Sequence, residues 1–191
     1  MARKLYPTFN DPDKWRNPNQ RQFYDNDTRK QIRQKVLQRD NNTCIFCGFQ
    51  AEKYMMAHHI NDNPTDLRLE NLETVCPMCN LILHVGQGAV IQDVVDLYMK
   101  SKYSQENIIR ITRQLRVFGK GDDEIIVKLN LKGKVPFKQD IGYLENLYGF
   151  ITSRKAKEDM TIRGLSYVYW EYKNQLEERF KTKQVEINTG A

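Results

Sequence analysis

Two Cys-x-x-Cys pairs, Cys44/Cys47 and Cys76/Cys79, constrain this chain more than any other feature. A two-residue gap lets both sulfurs of a pair reach one ion, and two pairs supply the four thiolates of a tetrahedral zinc site. A closed four-sulfur site leaves no position for substrate, so this Zn2+ is expected to be structural. A thioredoxin-like redox role is the other reading of the spacing, and two paired copies argue against it. Zinc bound in this way contributes about 10–16 kcal/mol, which rivals the about 5–15 kcal/mol stability of a whole domain. Folding of this stretch is therefore expected to depend on the metal.

The window from Cys44 to His84 also holds all three histidines of the 191-residue chain. Residues 48–75, between the pairs, make a longer insert than a simple zinc ribbon needs. It reads as a strand over 53–60 ending in His58-His59, a turn-rich stretch from Asn61 to Asp66, and a returning strand over 67–75 that carries Asn71. The second pair then opens a helix on which Asn80 and His84 are four apart and share a face. Imidazole and amide donors leave positions open on a cation, and hydrolysis of a phosphodiester needs such a cation and an activated water. One difficulty stands against this: adjacent residues of a regular strand face opposite sides, so His58 and His59 share a site only if the strand breaks between them. The plain alternative is that all three histidines pack or hydrogen-bond around a zinc ribbon.

The order Arg33-x-x-Val36-Leu37-x-Arg39-Asp40, Cys44-x-x-Cys47, His58-His59-Ile60, Asn71-Leu72, Cys76-x-x-Cys79-Asn80 and His84 resembles the HNH endonucleases with a four-cysteine zinc site. The resemblance covers about residues 29–88 and implies a ββα-metal hairpin and helix around one divalent cation. It further implies His59 as general base, His58, Asn80 and His84 as ligands of Mg2+, Mn2+ or a late transition metal, and Asn71 as the residue that orients the base. A metal-dependent endonuclease acting on DNA is the first functional expectation. Cys44-Ile-Phe-Cys47-Gly48-Phe49-Gln50-Ala51 also resembles the DotN (IcmJ) family of type IVB secretion coupling complexes. That likeness implies a non-catalytic zinc frame acting as an adaptor subunit, with a protein partner on a following helical half. This chain departs from that family by keeping His58, His59 and His84.

The rest of the chain is less informative. Residues 1–27, with Pro7, Pro12 and Pro18 among Tyr6, Phe9, Trp15, Phe23 and Tyr24, read as an extended arm whose aromatic side chains dock on the domain. Asp27 or Thr28 can cap a helix to about Asp40 that buries Ile32, Val36 and Leu37. Its other face carries Arg29, Lys30, Arg33, Lys35 and Arg39, either solvated or set against phosphates. The formal charge of +6 leans toward a polyanionic partner, and DNA is the one expected.

The zinc-pinned module is expected over 28–88, a mostly helical region over 89–182 and a tail over 183–191, an α+β chain as a whole. Residues 90–101 show apolar positions at helical spacing, Ser104 caps a helix closed by Gly119, and 124–131 permit a helix or a strand. Residues 136–150 read as a short helix, and Leu165, Val168, Tyr169, Tyr172, Leu176 and Phe180 form the stripe of a last one. No stretch of 18 apolar residues occurs, so no membrane span is expected. Paired cysteines without a secretory signal suggest the reducing cytoplasm.

Overall fold

The computed structural model describes residues 3–10, 26–86, 88–89 and 92–154. Pro12, Trp15, Pro18, Phe23, Tyr24, Val90, Ile91, the predicted helix over 165–181 and the tail lie outside them.

Helix α1 (Asn26–Arg39) opens before the predicted caps, so Asp27 and Thr28 lie inside its first turn, and it buries Val36 and Leu37 with Ile32 only half-buried. It ends on Asn41 and Asn42, both at φ 50°, and the Asn42 N–H donates to Leu37 O at 2.7 Å. Asparagine tolerates this left-handed turn better than most residues, and the reversal delivers the chain into the first cysteine pair. Strands β1 (Met56–His59) and β2 (Leu72–Val75) form the expected antiparallel hairpin. Both are shorter than predicted: β1 starts only after Tyr54, which sits at φ 67° outside strand geometry, and Leu69–Asn71 make a 3-10 turn before β2. Helix α2 (Pro77–Leu83) follows at once, with Cys76 as N-cap and Pro77 at a position where a missing N–H costs nothing.

The hairpin's outer edges are satisfied by side chains of α1. Arg33 donates to Met55 O at 2.6 Å, and Arg39 donates to Leu69 O and Leu72 O, each at 2.7 Å. The Thr74 N–H donates to Asp40 Oδ2 at 3.0 Å. A two-stranded ribbon is marginal alone, and these bonds fix it to α1. They also spend Arg33 and Arg39 on main-chain carbonyls, leaving Lys30 and Lys35 as exposed cations of the basic face.

Beyond the module, the helical spacing of 90–101 misleads. Val95–Lys100 form β3, the centre of a three-stranded antiparallel sheet ordered β4-β3-β5, with β4 at Lys132–Val135 and β5 at Tyr148–Ile151. A central strand covered on both faces loses the alternation that would mark it: Val95, Asp96, Leu97 and Tyr98 are all buried. Asp96 is tolerated there because Arg154 and Lys134 pair with its carboxylate at 2.7 and 2.9 Å. Helix α3 (Gln105–Val117) starts at Ser104 and stops before Gly119 at φ +74°, as expected.

The ambiguous stretch is helix α4 (Asp122–Leu129), with Gly121 at its N-cap. Asp122, Asp123 and Glu124 fill its first turn, where carboxylates meet the positive end of the helix dipole. Only Ile141–Leu144 of the predicted 136–150 helix is helical, as α5, and its last residues enter β5.

The structure is thus α+β. One buried cluster joins the four cysteines to Leu5, Ile82, Val95, Leu97, Ile109, Leu144 and Ile151, so the core crosses the position where the module was expected to end. Another contact binds the halves. Gly149 of β5 lies where a Cβ would come within 2.6 Å of Ile82 Cδ1 on α2. The buried Gln105 amide exchanges both main-chain bonds with Gly149, at 2.8 and 2.7 Å, and so closes the free edge of β5. Residues 3–10 of the predicted arm do dock: Thr8 pairs with Ile82 O and Val85 N, Leu5 is fully buried, and Phe9 meets Phe137 edge-on. No described helix is long and apolar enough to cross a membrane.

A four-cysteine centre beside a histidine pair

The first cysteine pair sits in a tight knuckle. Gly48 N–H returns to Cys44 O at 2.9 Å, Cys44 N–H donates to Phe49 O at 2.8 Å, and Gly48 adopts φ +71°, which glycine reaches without strain. The second pair is set by the start of α2, where Cys76 Sγ accepts from the Cys79 N–H. Hairpin pairing brings the knuckles together, since Ile45 N–H donates to Thr74 O two residues before Cys76.

All four thiols are buried, unpaired by disulfides, and their sulfurs lie within 4.8 Å of one another. Cys47 and Cys76 Sγ are 3.6 Å apart, close to the about 3.8 Å expected for two sulfurs on one zinc at about 2.3 Å each. The donor set and its spacing fit Zn2+. As thiols the four perturb each other. Cys47 and Cys76 are brought down, Cys76 to about 7, mainly through hydrogen bonds with Cys44, while Cys44 and Cys79 are pushed up by bonds to their neighbours. Among the described residues no second group of three or more cysteine, histidine or acidic side chains converges in this way.

Nothing in the spacing of the cysteines points to the other partner of this centre. Arg113, on α3 and far along the chain, donates to Cys76 Sγ at 3.1 Å and to Cys47 Sγ at 3.6 Å. Its guanidinium stacks on Phe49 with Cζ 3.8 Å from the ring centroid, and one turn earlier Arg110 donates to Cys47 O. Burial works against the Arg113 charge, yet the bond to Cys47 and the field of Cys76 hold its pKa above the ordinary value. The signal that could have found it is small: Arg110 and Arg113 interrupt the side of α3 next to Ile109 and Thr112.

The histidines divide. His58 is buried and paired in register with Glu73, its Nδ1 3.5 Å from Glu73 Oε1. Its ring centroid lies 5.2 Å from that of His84, the C-cap of α2. Pairing stays regular through His59, opposite Leu72, so alternation turns His59 away from the face that His58 shares with His84. Asn80 lies one turn before His84, partly buried. Glu73, which sequence reasoning missed, is held at 2.6 Å by Arg3 of the docked N-terminal segment.

Asn71 ties down the loop that follows His59. Its Oδ1 accepts from the Asn61 N–H, and its Nδ2 donates to Asn61 Oδ1 and Asp66 O, at 2.9–3.1 Å. Asn71→Ala would remove the partners of the Asn61 N–H and Asp66 O, both at the part-exposed loop, and is expected to cost about 1 kcal/mol, read as a lowered urea midpoint.

An α+β frame closed by a buried four-cysteine centre defines this as a chain built around a metal-type site, and no protein-family model matches it. It is similar to the type 4 apparatus protein DotN of Legionella pneumophila, 46% identical over 50 residues. That match spans 26% of this chain and 23% of DotN, so the chain matches less than a quarter of that protein's length.

Proposed function

We propose that this chain is a zinc-stapled binding subunit, an adaptor of a type 4 apparatus or similar multiprotein complex. The observation that carries this reading is the partial similarity to DotN, centred on a chain whose four cysteines can hold zinc. The chemistry around the histidines supports it. Glu73, whose carboxylate Arg3 holds at 2.6 Å, lies beside His58 on the face that an open catalytic metal would need. By strand alternation His59 belongs to the other side of β1. Zinc here acts by fixing shape, and the partner is a protein.

A second reading is favoured by one feature. The Asn71 network holds the loop behind His59 as it would in an HNH endonuclease, in which His58, Asn80 and His84 would be the ligands of a second divalent metal. Under that reading His59 takes a proton from water to cleave DNA, and Lys30 and Lys35 meet phosphates.

Supercoiled plasmid incubated with Mg2+, Mn2+, Ni2+ or Zn2+ separates the two. The adaptor reading expects no relaxation above that of His59→Ala with any metal, and a stoichiometric complex on co-expression with apparatus proteins of the same host. Metal-dependent nicking that vanishes in His59→Ala would overturn it in favour of the nuclease.

A further inference from the structure

We infer that Arg113 is a positioning residue of the four-cysteine centre: it neutralises and shields the Cys47 and Cys76 sulfurs, so that secure zinc retention requires α3 to be docked. The inference rests on the zinc reading above. Four thiolates around one Zn2+ carry a net charge of −2, and burying uncompensated charge is costly. Arg113 places one positive charge at hydrogen-bond distance from two of the four sulfurs, 3.1 Å from Cys76 and 3.6 Å from Cys47. Bonds from a charged donor to a charged acceptor are about twice as strong as neutral ones. The guanidinium is also fixed in orientation, its plane over the Phe49 ring that directly follows the first knuckle, while Arg110 ties the same helix to Cys47 O.

A sulfur lone pair engaged by an N–H donor is a poorer nucleophile and gives less charge to its metal. Cys47 and Cys76 are therefore quietened from outside both knuckles, by a helix that is not part of the hairpin. Residues beyond the ligands commonly change metal affinity about 10–100-fold when removed. Arg113 is in that position, and the coupling runs both ways. A metal-loaded centre gives α3 an anionic surface to sit on, and a docked α3 protects the thiolates.

Three variants test this in the full chain. Arg113→Met keeps the stem on Phe49 without donors, Arg113→Lys keeps the charge, and Arg110→Gln alters contacts that reach the Cys47 main-chain oxygen and the Asn107 amide but no sulfur. Zinc content by elemental analysis comes first, then zinc release to a colorimetric chelator under excess N-ethylmaleimide, and the sulfur-to-metal charge-transfer band after Co2+ substitution. Arg113→Met is expected to load zinc, to bind it about 10–100-fold more weakly, to release it faster by a similar factor, and to move the band to lower energy. Arg113→Lys should fall between, and it alone decides the matter if the methionine variant does not fold. Arg110→Gln should match the wild type. Equal release and equal bands in wild type and both Arg113 variants would overturn the inference while leaving zinc in place. Equal acceleration by Arg110→Gln would overturn it too, by showing general loosening. A wild type with no metal would instead remove the zinc reading on which it stands.

Discussion

Cys76→Ser is expected to abolish zinc binding and unfold the protein. The residue occupies three roles at once: metal-type ligand, N-cap of α2, and a fully buried member of the main core cluster. Loss of one thiolate from a structural zinc forfeits much of a binding energy of about 10–16 kcal/mol, more than most domains hold in reserve. Serine restores the cap but not the sulfur, so any stability left in Cys76→Ser measures the fold without its metal. Because the same cluster includes Val95, Leu97 and Ile151, unfolding should not stop at the hairpin. A strong chelator should reproduce the effect in the wild type, seen as loss of far-UV ellipticity together with one equivalent of zinc. His58→Ala and His84→Ala should keep that zinc. A Cys76→Ser protein that stays folded with full metal content would refute the structural assignment.

That centre was legible in the sequence because ligand chemistry is local: a two-residue gap, given twice, has a direct geometric meaning. Helix caps were legible for the same reason, as Ser104 and Gly119 illustrate. What escaped were properties made by distant contacts. The segment Val95–Lys100 was misjudged because burial on both faces erases a strand's period, and spacing alone then fits a helix. Arg113 and Glu73 escaped because nothing near them in sequence reveals a sulfur or an imidazole across the fold. The histidines were half legible. The His58 and His84 rings lie 5.2 Å apart, a contact between strand and helix that spacing alone does not give, while pairing runs on regularly to His59 at the end of β1.

Ile82→Ala is expected to destabilise the protein by about 2–5 kcal/mol while leaving zinc stoichiometry unchanged. Ile82 is fully buried on the side of α2 that faces the sheet, and its carbonyl accepts the Thr8 N–H, so it fastens the metal-bearing helix to β5 and to the N-terminal segment. Its Cδ1 fills the space left by the absent side chain of Gly149, where an added Cβ would come within 2.6 Å. That closeness predicts the sign of a coupling. Gly149→Ala alone should destabilise through overpacking, by about 1–3 kcal/mol. In the Ile82→Ala background the same methyl enters a void, so its cost should shrink or reverse, giving a favourable interaction term of about 0.5–3 kcal/mol in a double-mutant cycle. Urea unfolding of the four proteins, each with zinc measured, reads the cycle. Strict additivity would mean that α2 and β5 do not interlock here, and that the metal-bearing helix is fastened to the sheet through its other contacts.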